Sequence, residues 1–299
     1  MNVIAKKNVE PEQVEFKKRS QWGGVWLRFK RNKLAVFGLC LFIVLAVLAL
    51  SADLIADYEM DVVTQNIKNR YQPSSTDHLF GTDQYGRDVF GRIIFGARIS
   101  ISIGLVAVAS SVLIGAICGS AAAYYGGKVD AVLMRIMDAF LAIPSTLLAI
   151  AIVSALGSSV VNLVLAMSVS QIPKMARLIR SSVLGIMGQE FIEAARACGT
   201  SDARIILRHI LPNAVGPLIV QTMQTVAGTI LTIASLSFIG LGIQSPTPEW
   251  GTMLSEARPV MRYYPMLAIY PGIAIMLTVM SLTLIGDGLR DALDPRLKN

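Results

Sequence analysis

Two histidines and three cysteines in 299 residues leave little from which to build a metal centre or a covalent catalytic site. His78 and His209 are far apart in the chain. Cys40, Cys118 and Cys198 show neither metal-type spacing nor the density of a disulfide framework, and are expected to be packing residues. No metal-binding histidine pair and no nucleophile elbow occurs. Gly126, Gly127 and Lys128 lack the earlier glycine and the following Ser or Thr of a phosphate-binding loop, so this chain is not expected to hydrolyse ATP. Charge is scarce as well, at 16% of residues, and the basic residues are not interleaved with aromatics in the way a nucleic-acid surface requires. No catalytic, cofactor-binding or metal-binding residue is expected in this chain, and no nucleic-acid partner.

What the chain has instead is apolar length. Hydrophobic residues make up 54% of it and the mean hydropathy is +0.57, the composition of an integral membrane protein. Charge-free tracts fall at 34–52, 99–127, 139–173, 210–248 and 263–286, each near or above the roughly 18–20 residues that cross hydrocarbon as a helix. Lipid offers no partner to an open backbone group, so the fold class expected is all-α. The third tract holds Gly157, Ser158, Ser159 and Asn162 at its middle, turn chemistry that splits it into a tight hairpin.

The basic residues test that split. Residues 1–33 hold nine Lys and Arg, which places the N-terminus in the cytoplasm. A single third span would export Lys174, Arg177, Arg180, Arg196, Arg204 and Arg208, whereas a hairpin keeps them inside. Six transmembrane helices with both termini cytoplasmic is therefore the expected topology. The 19-residue first tract follows a long charged leader and reads as an uncleaved span rather than a signal peptide. The net charge of +7 is then largely a topogenic signal, with membrane lipid as a partner. The chain divides into a basic segment at 1–33, a first span and outer loop at 34–98, a core at 99–287 containing a cytoplasmic loop at 174–212, and a tail at 288–299.

Gly115, Gly119 and Ala123 form a small-residue stripe suited to close helix packing within the chain. Asp138 reads as an interfacial polar residue. The outer loop ends in Gly81, Thr82 and Asp83, a turn, followed by Val89, Phe90, Ile93, Ile94 and Ala97 at helical period with Arg87, Asp88 and Arg92 between them. This pattern predicts an amphipathic helix lying on the outer interface. On the cytoplasmic side, Glu190–Cys198 is helix-forming with small Ala194, Ala195 and Ala197, Gly199 offers a left-handed turn, and Ser201 caps a second helix expected to end at Pro212. The alanine face lets a partner surface approach closely.

The chain resembles the inner-membrane permease subunits of ATP-binding-cassette importers, in the dipeptide, oligopeptide and nickel branch, from about residue 25 to the C-terminus. The importer signature is matched by Glu193, Ala194, Ala195, Gly199, Leu211 and Pro212, with His209 where the signature has Ile. GTDQYGRD at Gly81 to Asp88 running to Gly96–Arg98, PTPEWGTML at Pro246 to Leu254, and GDGLRDALDPRL at Gly286 to Leu297 are similar to that branch. Gly91 stands where relatives often have Ser.

The resemblance implies a bacterial inner-membrane protein, a coupling helix at Glu193–Gly199 seated in a cytoplasmic ATPase, and alternating access. The implied partners are a second homologous permease, two ATPase subunits that bind ATP and Mg, and an extracytoplasmic substrate-binding protein. Asp83, Arg87, Asp88, Pro248 and Trp250 are the residues expected at the outer gate or binding-protein contact. An ion-gradient transporter would need related halves with charged midplane elements, and Asp138 has no counterpart. The spans hold no cluster of His, Cys or carboxylates suited to a bare metal ion, which favours short peptides over nickel, with glutathione as an alternative.

Overall fold

Long apolar runs in lipid must close their backbone hydrogen bonds internally. The computed structural model, which describes residues 21–293, does so almost wholly with helices; among the described residues the only extended pairing is one bridge between Thr82 and Asp88. Helix α1 (Gln21–Arg31) is amphipathic and basic, and Phe29 on its inner face is buried. The Asn32 side chain starts α2 (Lys33–Leu50), accepting from the Leu34 and Ala35 amides at 3.1 and 3.2 Å. After an outer loop comes α3 (Val89–Tyr125), then α4 (Gly127–Leu141) and α5 (Ser145–Leu156). These are followed by α6 (Val160–Met187), the short α7 (Glu190–Ala197), the continuous α8 (Asp202–Phe238), a second short helix α9 (Trp250–Ala257), and α10 (Met266–Leu293).

Four of these, α2, α3, α8 and α10, are long and apolar enough to cross a membrane; α4 and α5 together make a fifth candidate, bent by 84°. The bend falls at Ala142–Pro144, where proline removes a backbone donor. The expected hairpin is present. Gly157 at φ +88 ends α5, Ser159 Oγ accepts from the Asn162 amide at 3.1 Å, and Asn162 Nδ2 donates back to the Leu156 and Gly157 carbonyls at 2.8 and 3.0 Å. The difference from the six expected spans is α6, in which Asn162, Gln171, Lys174 and Arg177 dilute the apolar run.

Two expectations are overturned. Residues 89–98 are not a separate helix on the membrane surface but the first turns of α3. At 37 residues and roughly 1.5 Å per residue, α3 is far longer than the hydrocarbon layer and projects beyond it. Asp88 caps it by accepting from the Gly91 amide at 2.6 Å, no breaker interrupts it, and its supposedly wet residue Arg92 is 1% exposed. Nor does the second cytoplasmic helix end at Pro212. A wider π turn at Ile205–Ile210 precedes the proline, which has no N–H to close an α-turn there, and the helix runs on to Phe238. Of the cysteines, Cys118 is half-buried, while Cys40 and Cys198 are exposed on this chain and do not fill a packing role.

The small-residue stripe sets the centre of the bundle. A Cβ on Gly115 would lie 2.6 Å from Met175 Cβ, and one on Gly119 would lie 2.3 Å from the Ala176 carbonyl oxygen, so α3 meets α6 nearly backbone to backbone. This is contact within one chain, as the sequence reading expected. At the α4–α6 interface, Asp138 pairs with Arg177, and Asp130 receives two bonds from Arg180 at 2.5 and 2.6 Å.

Candidate functional site

The loop between α6 and α8 is built around one anchor. Ile192, fully buried, reaches from α7 into a cluster formed by Ile179, Val183 and Ile186 of α6, Ile205, Ile210 and Ala214 of α8, and Ala123 of α3. The rest of α7 faces outward: Phe191, Glu193, Ala194, Arg196 and Ala197 are exposed, and Ala195 is half-buried at the edge of the cluster. Its C-terminus closes as a Schellman turn. The Gly199 amide donates to the Arg196 carbonyl at 2.9 Å and the Thr200 amide to the Ala195 carbonyl at 3.1 Å, with Gly199 at φ +71, a conformation that disfavours any residue with a Cβ. Tyr124, near the end of α3, donates its hydroxyl to Asp202 at 2.7 Å, and Arg196 lies over the Tyr124 ring at 5.1 Å. The loop is thereby held at fixed orientation to α3, α6 and α8.

Of the six signature residues, Glu193, Ala194, Gly199 and Pro212 are exposed, whereas Ala195 and Leu211 are half-buried against the same isoleucine cluster. The structure therefore brings the two ends of the motif together. His209 lies in the π turn on the half-buried side. Sequence reading missed Ile192, the residue that fixes the loop; an isoleucine on an otherwise polar and alanine-rich helix is the signal that points to it.

At the opposite end of α3 from this loop, residues 58–88 fold back over its start. Asp83 Oδ1 accepts from the Tyr85 and Arg87 amides at 2.8 and 3.0 Å, and its Oδ2 accepts from Arg87 Nε at 2.7 Å. Arg87 and Arg92, both 1% exposed, converge on Glu256 Oε2 of α9 at 2.8 and 3.1 Å. Arg92 also donates to the Val62 and Pro246 carbonyls at 2.9 and 3.1 Å. Two guanidiniums thus meet the two carboxylates of Asp83 and Glu256, a charge balance without which burial would be prohibitive. Asp88, besides capping α3, lies 3.0 Å from the His78 ring. The stacked pairs Tyr71–Tyr264 and Phe80–Tyr270, at 4.0 and 4.3 Å, add an aromatic tie to the α9–α10 region. Nearer the membrane, Arg98 bonds Asp53 at 2.8 Å and holds that exposed carboxyl below its usual range.

The PTPEWG segment enters the bundle rather than lying on it. Trp250 is fully buried, its indole N–H donates to the Ile93 carbonyl at 3.0 Å, and Gly96 leaves the space its ring occupies. Glu249, also fully buried, caps α9 through the Thr252 amide at 2.9 Å and accepts from Ser100 Oγ at 3.2 Å. Asp83, Arg87, Asp88, Pro248 and Trp250 are all buried in this chain. Their side chains brace the cap over the start of α3 and do not form its surface. Glu249 and Glu256, which sequence reading did not single out, complete that brace.

Known proteins share this architecture. Residues 111–299 match the family described as binding-protein-dependent transport system inner membrane component, and residues 20–73 match the N-terminal transmembrane domain of oligopeptide transport permease C. The chain is 43% identical over 292 residues to a dipeptide transport system permease protein of Alkalihalophilus pseudofirmus, covering 98% of this chain and 95% of that one. It is 44% identical over 290 residues to a glutathione transport system permease protein of Escherichia coli, covering 97% and 94%. A chain of the inward-facing MetNI methionine ABC transporter superposes with a TM-score of 0.55 at 18% identity, covering 68% of this chain and 97% of that chain, a likeness of fold. The helical bundle, the family match over residues 111–299 and the near full-length relatives together establish that this chain belongs to the binding-protein-dependent transport system inner membrane components, as a multi-pass permease subunit.

Proposed function

We propose that this chain is one permease half of an ATP-driven importer for short peptides, with α7 as the helix that receives the stroke of a cytoplasmic ATPase. The observation that carries the reading is the geometry of α7. It is a short helix pinned by one buried isoleucine, closed by a glycine turn, and presenting an alanine face with Glu193 and Arg196 at its edges. Such a face fits a groove closely, and such an anchorage passes displacement to α6 and α8 instead of absorbing it. ATP and Mg belong to two partner ATPases, since this chain carries no phosphate-binding loop. A second, homologous permease completes the path, and an extracytoplasmic binding protein delivers cargo to the surface braced by Asp83, Arg87, Asp88, Pro248 and Trp250. Both termini lie in the cytoplasm and α6 is the remaining span of six.

In this mechanism closure of the ATPases moves α7 as a rigid body, and the hinge-like breaks beside it, the Gly188–Gln189 turn and the π turn at Ile205–Ile210, let α6 and α8 tilt. The names of the similar permeases, dipeptide and glutathione, favour peptide-like cargo; glutathione is the second reading, because the identities are nearly equal. The test is purification of this chain from its native host in mild detergent, with crosslinking from a cysteine at Ala194. Co-purification of two ATPases and a second permease, with the crosslink landing on an ATPase, is the expected result. A chain that purifies without an ATPase after crosslinking returns the gradient-driven transporter.

A further inference from the structure

Among the described residues Lys174 has no partner carboxylate, and with α6 as a span, as proposed above, it lies at membrane depth. Counting from Val160 at roughly 1.5 Å per residue, it lies about 21 Å along α6, and the hydrocarbon layer is about 30 Å thick. Of the three cations on this half of α6, Arg177 is met by Asp138 and Arg180 by Asp130, both from α4. Among the described residues nothing neutralises Lys174. A charge so placed is costly in lipid, and one that persists faces a water-filled cavity or a pathway.

Lys174 borders an open groove. It lines a space of about 510 Å³ together with Arg177, Ser181 and Gln221. That space shares Leu178 and Gln221 with a second one of about 570 Å³, into which α8 presents Asn213, Gln221 and Gln224 and α10 presents Arg290. On α8 the lining residues Asn213, Gly216, Pro217, Val220, Gln221 and Gln224 recur at helical spacing and form one continuous wall stripe. No carboxylate is among the residues lining either space. Amide groups can satisfy peptide bonds; the charged lining residues are Lys174, Arg177 and Arg290, with Arg177 paired to Asp138 and the lining Gln224 donating to Asp287 at 3.3 Å.

Resting on the importer reading above, we propose that these joined spaces are the inner vestibule of the path, and that Lys174 favours cargo bearing a side-chain carboxylate, so that acidic peptides are preferred over basic ones and a bare divalent cation is disfavoured. The side-chain carboxylate takes the place of a partner for Lys174 as cargo passes, and Gln221, shared by both spaces, hydrogen-bonds the adjacent peptide group.

The experiment uses the whole complex, this chain with its sister permease, ATPases and binding protein, reconstituted in vesicles. ATP-driven uptake of Ala-Glu, Ala-Ala and Ala-Lys is measured for the native chain, Lys174→Gln and Lys174→Arg. Each variant is expressed relative to the native complex on the same peptide, which cancels the preference of the binding protein. Lys174→Gln is expected to lower Ala-Glu uptake at least fivefold while leaving Ala-Lys unchanged or raised, and Lys174→Arg to restore the native pattern. Equal loss on all three peptides, the signature of a structural lysine or one paired with the sister subunit, overturns the proposal, as does no change. If Lys174→Gln fails to assemble, Gln221→Glu places a carboxylate in the same cavity and is expected to shift preference toward Ala-Lys; an unshifted preference overturns the proposal. A native complex that moves no peptide with ATP instead removes the importer reading on which it stands.

Discussion

Gly119 and Gly199 illustrate how two glycines of one chain serve opposite ends of the structure. Gly119 has no room: its missing Cβ would sit 2.3 Å from a backbone oxygen of α6, so Gly119→Val forces α3 and α6 apart. Gly199 has open space around it but a backbone at φ +71, where a valine costs about 1–2 kcal/mol in conformation alone. If α7 docks as proposed, added bulk there would also meet the partner surface. Gly119→Val is therefore expected to reduce the amount of folded chain recovered from the membrane. Gly199→Val is expected to insert normally and abolish uptake, and normal transport by it would sink the coupling role. Immunoblotting of membranes alongside uptake separates the two. The Gly199 turn was legible in sequence because its chemistry is local, glycine following a helix-forming run and preceding Ser201. The Glu256 brace was not legible, since its partners Arg87 and Arg92 lie 169 and 164 positions away and nothing in local spacing joins them.

Among the elements, α7 is the one whose stability rests most on a single side chain. Truncating a buried isoleucine to alanine typically costs 2–5 kcal/mol, and Ile192 is the only residue of α7 that is fully buried. The bundle does not depend on α7, because α3, α6 and α8 pack through other residues of the same cluster and through the glycine stripe. Ile192→Ala is accordingly expected to leave the chain inserted and the ATPases bound, yet to lower peptide moved per ATP hydrolysed several-fold; a native ratio would mean that α7 is not the transmitting element. Element existence was readable wherever composition alone decided it, as in α2 and α10. Boundaries were misread where long-range contact overrode a local signal. The 89–98 segment looks amphipathic only if Arg92 is assumed to face water, and Pro212 looks like a stop only if the preceding turn is assumed to be α-helical.

For the whole molecule, the open question of count reduces to α6. It is more polar than the other long helices, but its charges are not bare: Arg177 and Arg180 are paired with Asp138 and Asp130 on the neighbouring helix. Pairing lowers the cost of placing them near a membrane face, and Arg180, about 30 Å from Val160, falls at the edge of the layer in any case. The hairpin between α5 and α6 has its polar groups bonded to one another, so it closes a pair of antiparallel arms whose other ends carry the basic residues. The proposed six crossings, with the bent α4–α5 pair as one and α6 as another, would put Ser158 and Gly188 on opposite faces. In a variant with Cys40, Cys118 and Cys198 replaced, Ser158→Cys is expected to react with a membrane-impermeant maleimide added to intact spheroplasts. Gly188→Cys is expected to react only after permeabilisation. Labelling of both from the same side would remove α6 as a span. It would also move Lys174 out of the membrane layer and return α7 to the outer side, away from any ATPase.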